Sequence, residues 1–159
     1  MSPLHHLFES EIKDLYSAEK QLLNVVLPTL IDVSKTPCLK KGFNELVDKT
    51  NYQFKCIKHI CKRLEINFPD EVCIKMSPIV KELNRIKERE NCDNVKDMKL
   101  IASAQRIEYF KISGYSTATR VAKQLGYTEV AELLQSLLNH ELYADNKLNE
   151  LAIMRISNK

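Results

Sequence analysis

The chain has 159 residues, of which 44% are hydrophobic and 28% charged, and its formal net charge is +3. This length fits one domain with a substantial core, and the composition excludes a disordered chain. No apolar run approaches the roughly 20 residues of a transmembrane helix, and the first residues lack the layout of a signal peptide. The charges are mixed in sign without a basic block. We therefore expect a cytoplasmic protein that binds neither membrane nor nucleic acid.

The cysteines fit the same compartment. Their number is odd and no two are spaced as Cys-x-x-Cys, which disfavours a disulfide framework or a zinc site. They are Cys38, Cys56, Cys61, Cys73 and Cys92. Cys61 falls on an apolar helix face, where it serves as a core residue. We expect free thiols in a reducing cytosol.

Two long helices are predicted in the first part of the chain, over residues 3–34 and 37–65. Ser2-Pro3 and Thr36-Pro37 are typical helix starts, and Pro28 is expected to kink or fray the end of the first helix. Apolar residues then recur at steps of four and three along one face of each helix. Glu19 occupies the centre of the first apolar face, and Thr50 and Gln53 occupy the centre of the second.

Two more long helices are predicted over residues 94–125 and 128–154. Asp93 is the expected cap of the third helix, and Gly126 is placed to end it. The stretch 66–93 is less periodic and is predicted to be a long crossover with a short helix. Four amphipathic helices with a long link between the second and third predict an all-α, ferritin-like four-helix bundle, with one domain spanning residues 1–159.

Charged and polar residues interrupt the apolar faces at similar heights. Counted from the predicted turns, six of them can meet in one central layer: Glu19, Gln53, Glu108, Lys111, Glu141 and Asp145. Carboxylates gathered in a bundle core need a cation, and two bridged metal ions are one known solution. Oxygen ligands suit iron or manganese. We therefore expect Glu19, Glu108, Glu141, Gln53 and Asp145 to be metal ligands, and Glu19, Glu108 and Glu141 to be buried.

Several stretches resemble the YciF/YciE family of ferritin-like bacterial proteins, the DUF892 domain. The resemblance covers about residues 4–152, and its most specific part is the run Leu15-Tyr16-Ser17-Ala18-Glu19-Lys20-Gln21-Leu22. It extends over Leu7-Phe8, Ala104–Tyr109, Gly114-Tyr115, Glu132–Gln135 and Glu141–Ala152. Members of this family are similar to rubrerythrin-type bundles, tend to form dimers and are linked to stress responses. The resemblance therefore implies a stress-associated homodimer, and the aromatic residues Tyr52 and Phe110 lie outside the apolar faces where a partner could cover them.

The chain departs from the family pattern at positions that bear on metal binding. Lys111 stands where members commonly carry a carboxylate, and Asp48 stands where they carry Glu. His140 takes the place of an acid before Glu141, while members vary between Gln and His at Gln53. The resemblance therefore implies an incomplete iron or manganese site, with Lys111 paired to Glu141 or Glu108 when no metal is bound.

Two functions remain in view. The first is a ferritin-like stress protein with a degenerate carboxylate site that binds iron or manganese and handles iron or peroxide. The second is a metal-free interaction or structural bundle, in which Lys111 pairs the core glutamates and the polar layer fixes the register of the helices. Nucleophilic catalysis has no support, because no Ser/His/Asp or Cys/His set can be placed in one layer and no Gly-rich phosphate loop occurs.

Overall fold

The computed structural model describes residues 1–70 and 73–157, with the backbone alone for residues 155–157. Its helices are α1 (Pro3–Gln21), α2 (Leu27–Val33), α3 (Pro37–Arg63), α4 (Ser77–Arg89), α5 (Asp93–Gln124) and α6 (Thr128–Ser157). The described residues form no strand. The prediction of an all-helical protein is confirmed. None of these helices is long and apolar enough to cross a membrane.

The first long helical segment is interrupted by one wide turn. Ser2 caps α1 through its hydroxyl, which accepts a hydrogen bond from the backbone N–H of His5 at 3.2 Å. A π-helical turn, Leu22–Val26, then separates α1 from α2, in which Pro28 lies in the first turn. Proline has no backbone N–H to bond to the preceding turn, and here the wide turn directly before it, closed by the bond from Leu27 N–H to the Leu22 carbonyl, keeps the chain helical. The helix therefore continues through Pro28 to Val33 instead of fraying.

The two ends of α5 correct one sequence prediction and confirm another. α5 begins at Asp93, but the residue in the capping position is Cys92, whose side chain makes no capping bond. The expectation that Asp93 caps this helix was wrong, although its carboxylate still lies in the first turn, where the helix dipole favours it. Gly126 ends α5 as expected, with φ of 79°. The N–H of Gly126 and that of Tyr127 donate to Lys123 and Ala122, which is a Schellman motif.

Packing between the helices brings the four long segments together. α1 contacts α3 and α5, and α6 contacts the same two helices, with its longest contact on α5. The link between α3 and α5 contains α4, which buries Leu83 and Ile86 against the core and contacts α5. All five cysteines are free.

The buried apolar residues fall into two clusters, one at each end of the long helices. Each long helix contributes residues to both clusters, and the change from one cluster to the other falls at or beside a polar residue. This residue is Glu19 in α1, Gln53 in α3 and Glu141 in α6. In α5 the change falls in the stretch that begins at Glu108, contains Lys111 and ends before Tyr115. Polar residues therefore separate the two clusters at the same height on four helices. We call Glu19, Lys49, Gln53, Glu108, Lys111 and Glu141 the central layer.

Candidate functional site

The central layer is built around the ammonium of Lys111, which has no exposed surface. Lys111 Nζ lies 2.9 Å from Glu19 Oε1 and 2.7 Å from Glu141 Oε1. It also donates to Gln53 Oε1 at 2.7 Å. Two carboxylates and one amide oxygen thus surround an ammonium that has three N–H donors. Burial lowers the pKa of Lys111, and the charge of Glu19 opposes that shift.

A second ammonium, that of Lys49, enters the layer from α3. Lys49 Nζ lies 2.8 Å from Glu108 Oε2 and 3.1 Å from Glu141 Oε1, and its side chain is only 14% exposed. Lys49 is not among the predicted site residues, because it lies beside the apolar face of α3 and a lysine in that position usually extends into solvent. The sequence did hold one indication of its position: Lys49 precedes Gln53 by four residues, so the two side chains are neighbours one turn apart on the same helix.

Gln53 and Tyr115 hold the acceptors of Lys111 in place. Gln53 Nε2 donates to the carbonyl oxygen of Leu137 at 3.4 Å, which leaves its Oε1 directed at the ammonium. The hydroxyl of Tyr115 donates to Glu19 Oε1 at 2.9 Å. Burial, with the charge of Glu19, raises the pKa of Tyr115 well above its ordinary value. Tyr115 therefore remains protonated and acts as a hydrogen-bond donor.

Three predicted ligands are confirmed as buried residues. Glu19 and Glu141 have no exposed surface and Glu108 is 3% exposed. The predicted pairing of Lys111 with Glu141 is also confirmed. In formal terms the layer holds three carboxylates and two ammoniums, which leaves one negative charge without a counterion among them. A buried charge is costly unless an opposite charge compensates it. The excess carboxylate therefore favours the uptake of a further positive charge or proton by the layer.

Asp145 lies one turn beyond Glu141 on α6 and is partly buried. Its Oδ1 is buried and has no hydrogen-bond partner among the described residues. Burial and the charge of Glu108 raise the pKa of Asp145. Asp145 therefore lies at the edge of the central layer without an ion pair to it. His140, by contrast, is exposed and packs against the ring of Tyr52, and Asp48 is exposed on α3.

The donor set does not fit a complete two-metal site. Di-iron bundles use Glu-x-x-His pairs on two helices, but this chain has Thr50 with Gln53 on α3 and Glu141 with Ala144 on α6. One carboxylate oxygen of each of Glu19, Glu108 and Glu141 is already paired with Lys111 or Lys49. Within residues 1–70 and 73–157, no group of three or more His, Cys, Asp or Glu side chains is arranged to hold a metal ion.

These features define the class of protein. It is an all-helical protein whose apolar core is divided by a layer of buried carboxylates, and in this chain lysine ammoniums pair them. The chain belongs to the family described as "Domain of unknown function (DUF892)", whose model matches residues 3–159.

Relatives of known structure support this assignment. Protein YciF of Escherichia coli (strain K12) is 31% identical over 160 residues, which span 100% of this chain and 96% of that protein. The crystal structure of the E. coli stress protein YciF matches with a TM-score of 0.93 and 31% identity over 100% of both chains. YcfI from Rhodopseudomonas palustris matches with a TM-score of 0.86 and 26% identity over 94% of both chains. The family resemblance of the sequence is thereby confirmed.

Proposed function

We propose that this protein is a metal-free, ferritin-like four-helix bundle that acts as a structural or interaction protein under stress. In it, the ammoniums of Lys111 and Lys49 supply the positive charge that related bundles take from metal ions. The observation that carries the proposal is the contact of Lys111 Nζ with Glu19 Oε1 at 2.9 Å and Glu141 Oε1 at 2.7 Å. The stress role is supported by the E. coli relative, which is described as a stress protein.

The bundle is supported by the way its long helices meet. The segment formed by α1, the π-helical turn and α2 serves as the first helix, and α3, α5 and α6 serve as the other three. Each contacts two others in a closed ring, since α1 and α6 both pack against α3 and α5. The link that carries α4 is then the long crossover between the second and third helices of one domain.

Electrostatics favour lysine over metal in the central layer. A divalent ion bound to Glu141 Oε1 would lie within about 4 Å of an ammonium on the same oxygen. At an effective dielectric constant of about 20, that contact costs roughly 8 kcal/mol. The ammonium and the metal ion therefore exclude one another, and the lysine, being part of the chain, is always present.

A second candidate function is the binding of a single iron or manganese ion. It is supported by three buried carboxylate oxygens without hydrogen-bond partners among the described residues, which are Glu19 Oε2, Glu141 Oε2 and Asp145 Oδ1. Glu108 and Gln53 would complete this set. Such a site would serve iron or peroxide handling, and Lys111 would have to turn away from it.

Elemental analysis distinguishes the two functions. Protein purified without chelator, then incubated with Fe(II) or Mn(II) and desalted, should retain well below one ion per chain. Lys111→Glu removes the ammonium and adds a carboxylate, so we expect it to retain more metal than wild type. Lys147→Glu makes the same charge change on an exposed lysine and serves as the control.

Three results would decide against the metal-free proposal or refine it. Retention of two ions per wild-type chain, with no gain in Lys111→Glu, would reject the role given to Lys111. Retention of one ion per wild-type chain, lost in Glu141→Gln, would establish the second candidate. Retention below one ion in both wild type and Lys111→Glu would show that the carboxylates alone do not suffice.

We also propose that the protein is a cytoplasmic homodimer. Tyr52 and Phe110 are weaker support than the sequence suggested, because Tyr52 lines a groove and Phe110 packs against the core. Better support comes from exposed apolar side chains on the outer face of α5 and α6, which are Tyr109, Leu142 and Ile153. A monomer mass in light scattering at micromolar concentration would reject the dimer.

A further inference from the structure

A groove with a volume of about 320 Å³ lies between α3 and α6, and one residue of the central layer, Lys49, contributes to its lining. Its lining is mostly apolar or aromatic, with Leu46, Tyr52, Tyr143, Ala144, Leu148 and Leu151 among its walls. The groove narrows at Gly42, where an added Cβ would lie 3.0 Å from a methyl group of Leu151. Pockets for small ligands start at about 300 Å³ and are mainly apolar with few polar groups. The volume and the walls thus suit one compact molecule.

Lys49 connects this groove to the core. It lines the groove, yet its ammonium reaches inward to Glu108 Oε2 and Glu141 Oε1. These are its only hydrogen-bond acceptors among the described residues, so one of its three N–H groups has none. A donor with little exposure and no acceptor gains from a ligand that brings one.

The charge around Lys49 sets the chemistry of that acceptor. Glu108 and Glu141 already neutralise the ammonium, and the central layer as a whole carries an excess of one carboxylate. The groove lining also includes Glu45 and Lys147, whose formal charges offset one another. An anionic ligand would therefore meet the excess negative charge of the layer, whereas an uncharged oxygen would not. A carbonyl or hydroxyl oxygen is therefore the suitable partner.

We propose that the groove between α3 and α6 binds a small, uncharged aromatic molecule whose single carbonyl or hydroxyl oxygen accepts a hydrogen bond from Lys49. The rings of Tyr52 and Tyr143 supply apolar walls for its body. This binding site goes beyond the proposed function.

Two probes of nearly equal shape test the proposal. 2-Acetylnaphthalene carries one carbonyl oxygen, and 2-isopropylnaphthalene has a carbon in its place. Titration of the purified full-length protein, followed through the methyl NMR signals of leucine, should show shifts confined to the leucines of the groove, Leu46, Leu148 and Leu151. We expect the ketone to bind about tenfold more tightly than the hydrocarbon, which is the usual effect of one hydrogen bond.

Variants assign the contact to the groove and to Lys49. Tyr52→Ser combined with Tyr143→Ser changes two exposed residues and should weaken both probes at least tenfold. Tyr109→Ser is the matched control, because Tyr109 has similar exposure and lies outside the groove. Lys49→Met should remove the preference for the ketone, whereas Lys147→Met, at the other lysine that lines the groove, should keep it. If Lys49→Met does not fold, the tyrosine variants and the two probes still decide.

Clear results would overturn the proposal. Equal affinity of wild type for the two probes would reject the role of Lys49. Ketone binding that survives in the double tyrosine variant, or shifts in leucines elsewhere, would place the site outside the groove. A dimer that binds neither probe and becomes a monomer in the double tyrosine variant would show that a second copy covers the groove instead.

Discussion

Lys111 and Glu141 lie 2.7 Å apart, from Nζ to Oε1, and neither side chain has any exposed surface. The same oxygen of Glu141 accepts a hydrogen bond from Lys49 at 3.1 Å. One carboxylate oxygen on α6 thus joins an ammonium from α5 to an ammonium from α3. Because this oxygen links three helices, loss of the pairing between Lys111 and Glu141 should lower the stability of the fold.

Replacement of Lys111 by methionine keeps the length of the side chain and removes its charge. Glu19 and Glu141 would lose their shared ammonium while remaining buried, so we expect a loss of about 3–5 kcal/mol in the free energy of unfolding. Urea denaturation followed by circular dichroism measures it. Lys87→Met removes an exposed lysine 3.8 Å from Asp32 and should change stability by less than about 1 kcal/mol. Equal effects of the two substitutions would contradict the role given to burial.

Removal of carboxylates should be far less harmful than removal of the ammonium. The double variant Glu19→Leu with Glu108→Leu leaves Glu141 to pair both Lys111 and Lys49. The formal charge of the central layer changes from −1 in the wild type to +1 in the double variant, so its magnitude is unchanged. Because Glu141 still pairs both ammoniums, neither is left buried without a counterion, and we expect soluble, fully helical protein. Loss of soluble protein would show that each carboxylate is needed for folding.

The hydrogen bond from Tyr115 to Glu19 gives a third test. Tyr115→Phe removes one buried donor and leaves the apolar ring in place, so Glu19 Oε1 loses the hydrogen bond that it accepts at 2.9 Å. Hydrogen bonds to charged groups contribute about 1.5–3 kcal/mol, and we expect a loss of about 2 kcal/mol in urea denaturation. Tyr109→Phe, at a ring that is 54% exposed, should have no measurable effect.

Asp145 provides a pH-dependent test. Its pKa is raised by burial above its ordinary value of 3.8, so the folded protein binds this proton more tightly than the unfolded chain. Its carboxylate therefore destabilises the fold above the folded-state pKa, and this penalty fades as the pH falls towards 3.8. We expect Asp145→Asn to be more stable than wild type at pH 7, with an advantage that shrinks on acidification. Asp48→Asn, on the exposed face of α3, is the control for urea denaturation at each pH.

The sequence predicted the helices and the buried glutamates because both depend on local periodicity. Glu19, Glu108 and Glu141 each occupy the centre of an apolar face, and counting residues from the turns placed them at one height. Lys49 could not be found in the same way. A lysine beside an apolar face can extend outward or inward, and the choice depends on the carboxylates of two other helices.

The backbone details show a similar division. Gly126 was predictable because a helix end in a left-handed conformation favours glycine strongly. The π-helical turn at Leu22–Val26 was not predicted, because Pro28 alone indicated only that the helix would kink or fray near its end. The predicted metal ligation by Glu19, Glu108, Glu141, Gln53 and Asp145 stays a prediction.

The separation of the apolar core into two clusters has a consequence for how the protein tolerates change. Leu30 belongs to the cluster on one side of the central layer and Leu134 to the cluster on the other, so they share no packed apolar neighbours. Loss of a side chain at one end leaves a void that the other end cannot relax into. Substitutions in one cluster are thus expected to be independent of substitutions in the other. The charged residues of the central layer pair with one another across helices, so a change in one of them calls for a compensating change in its partner.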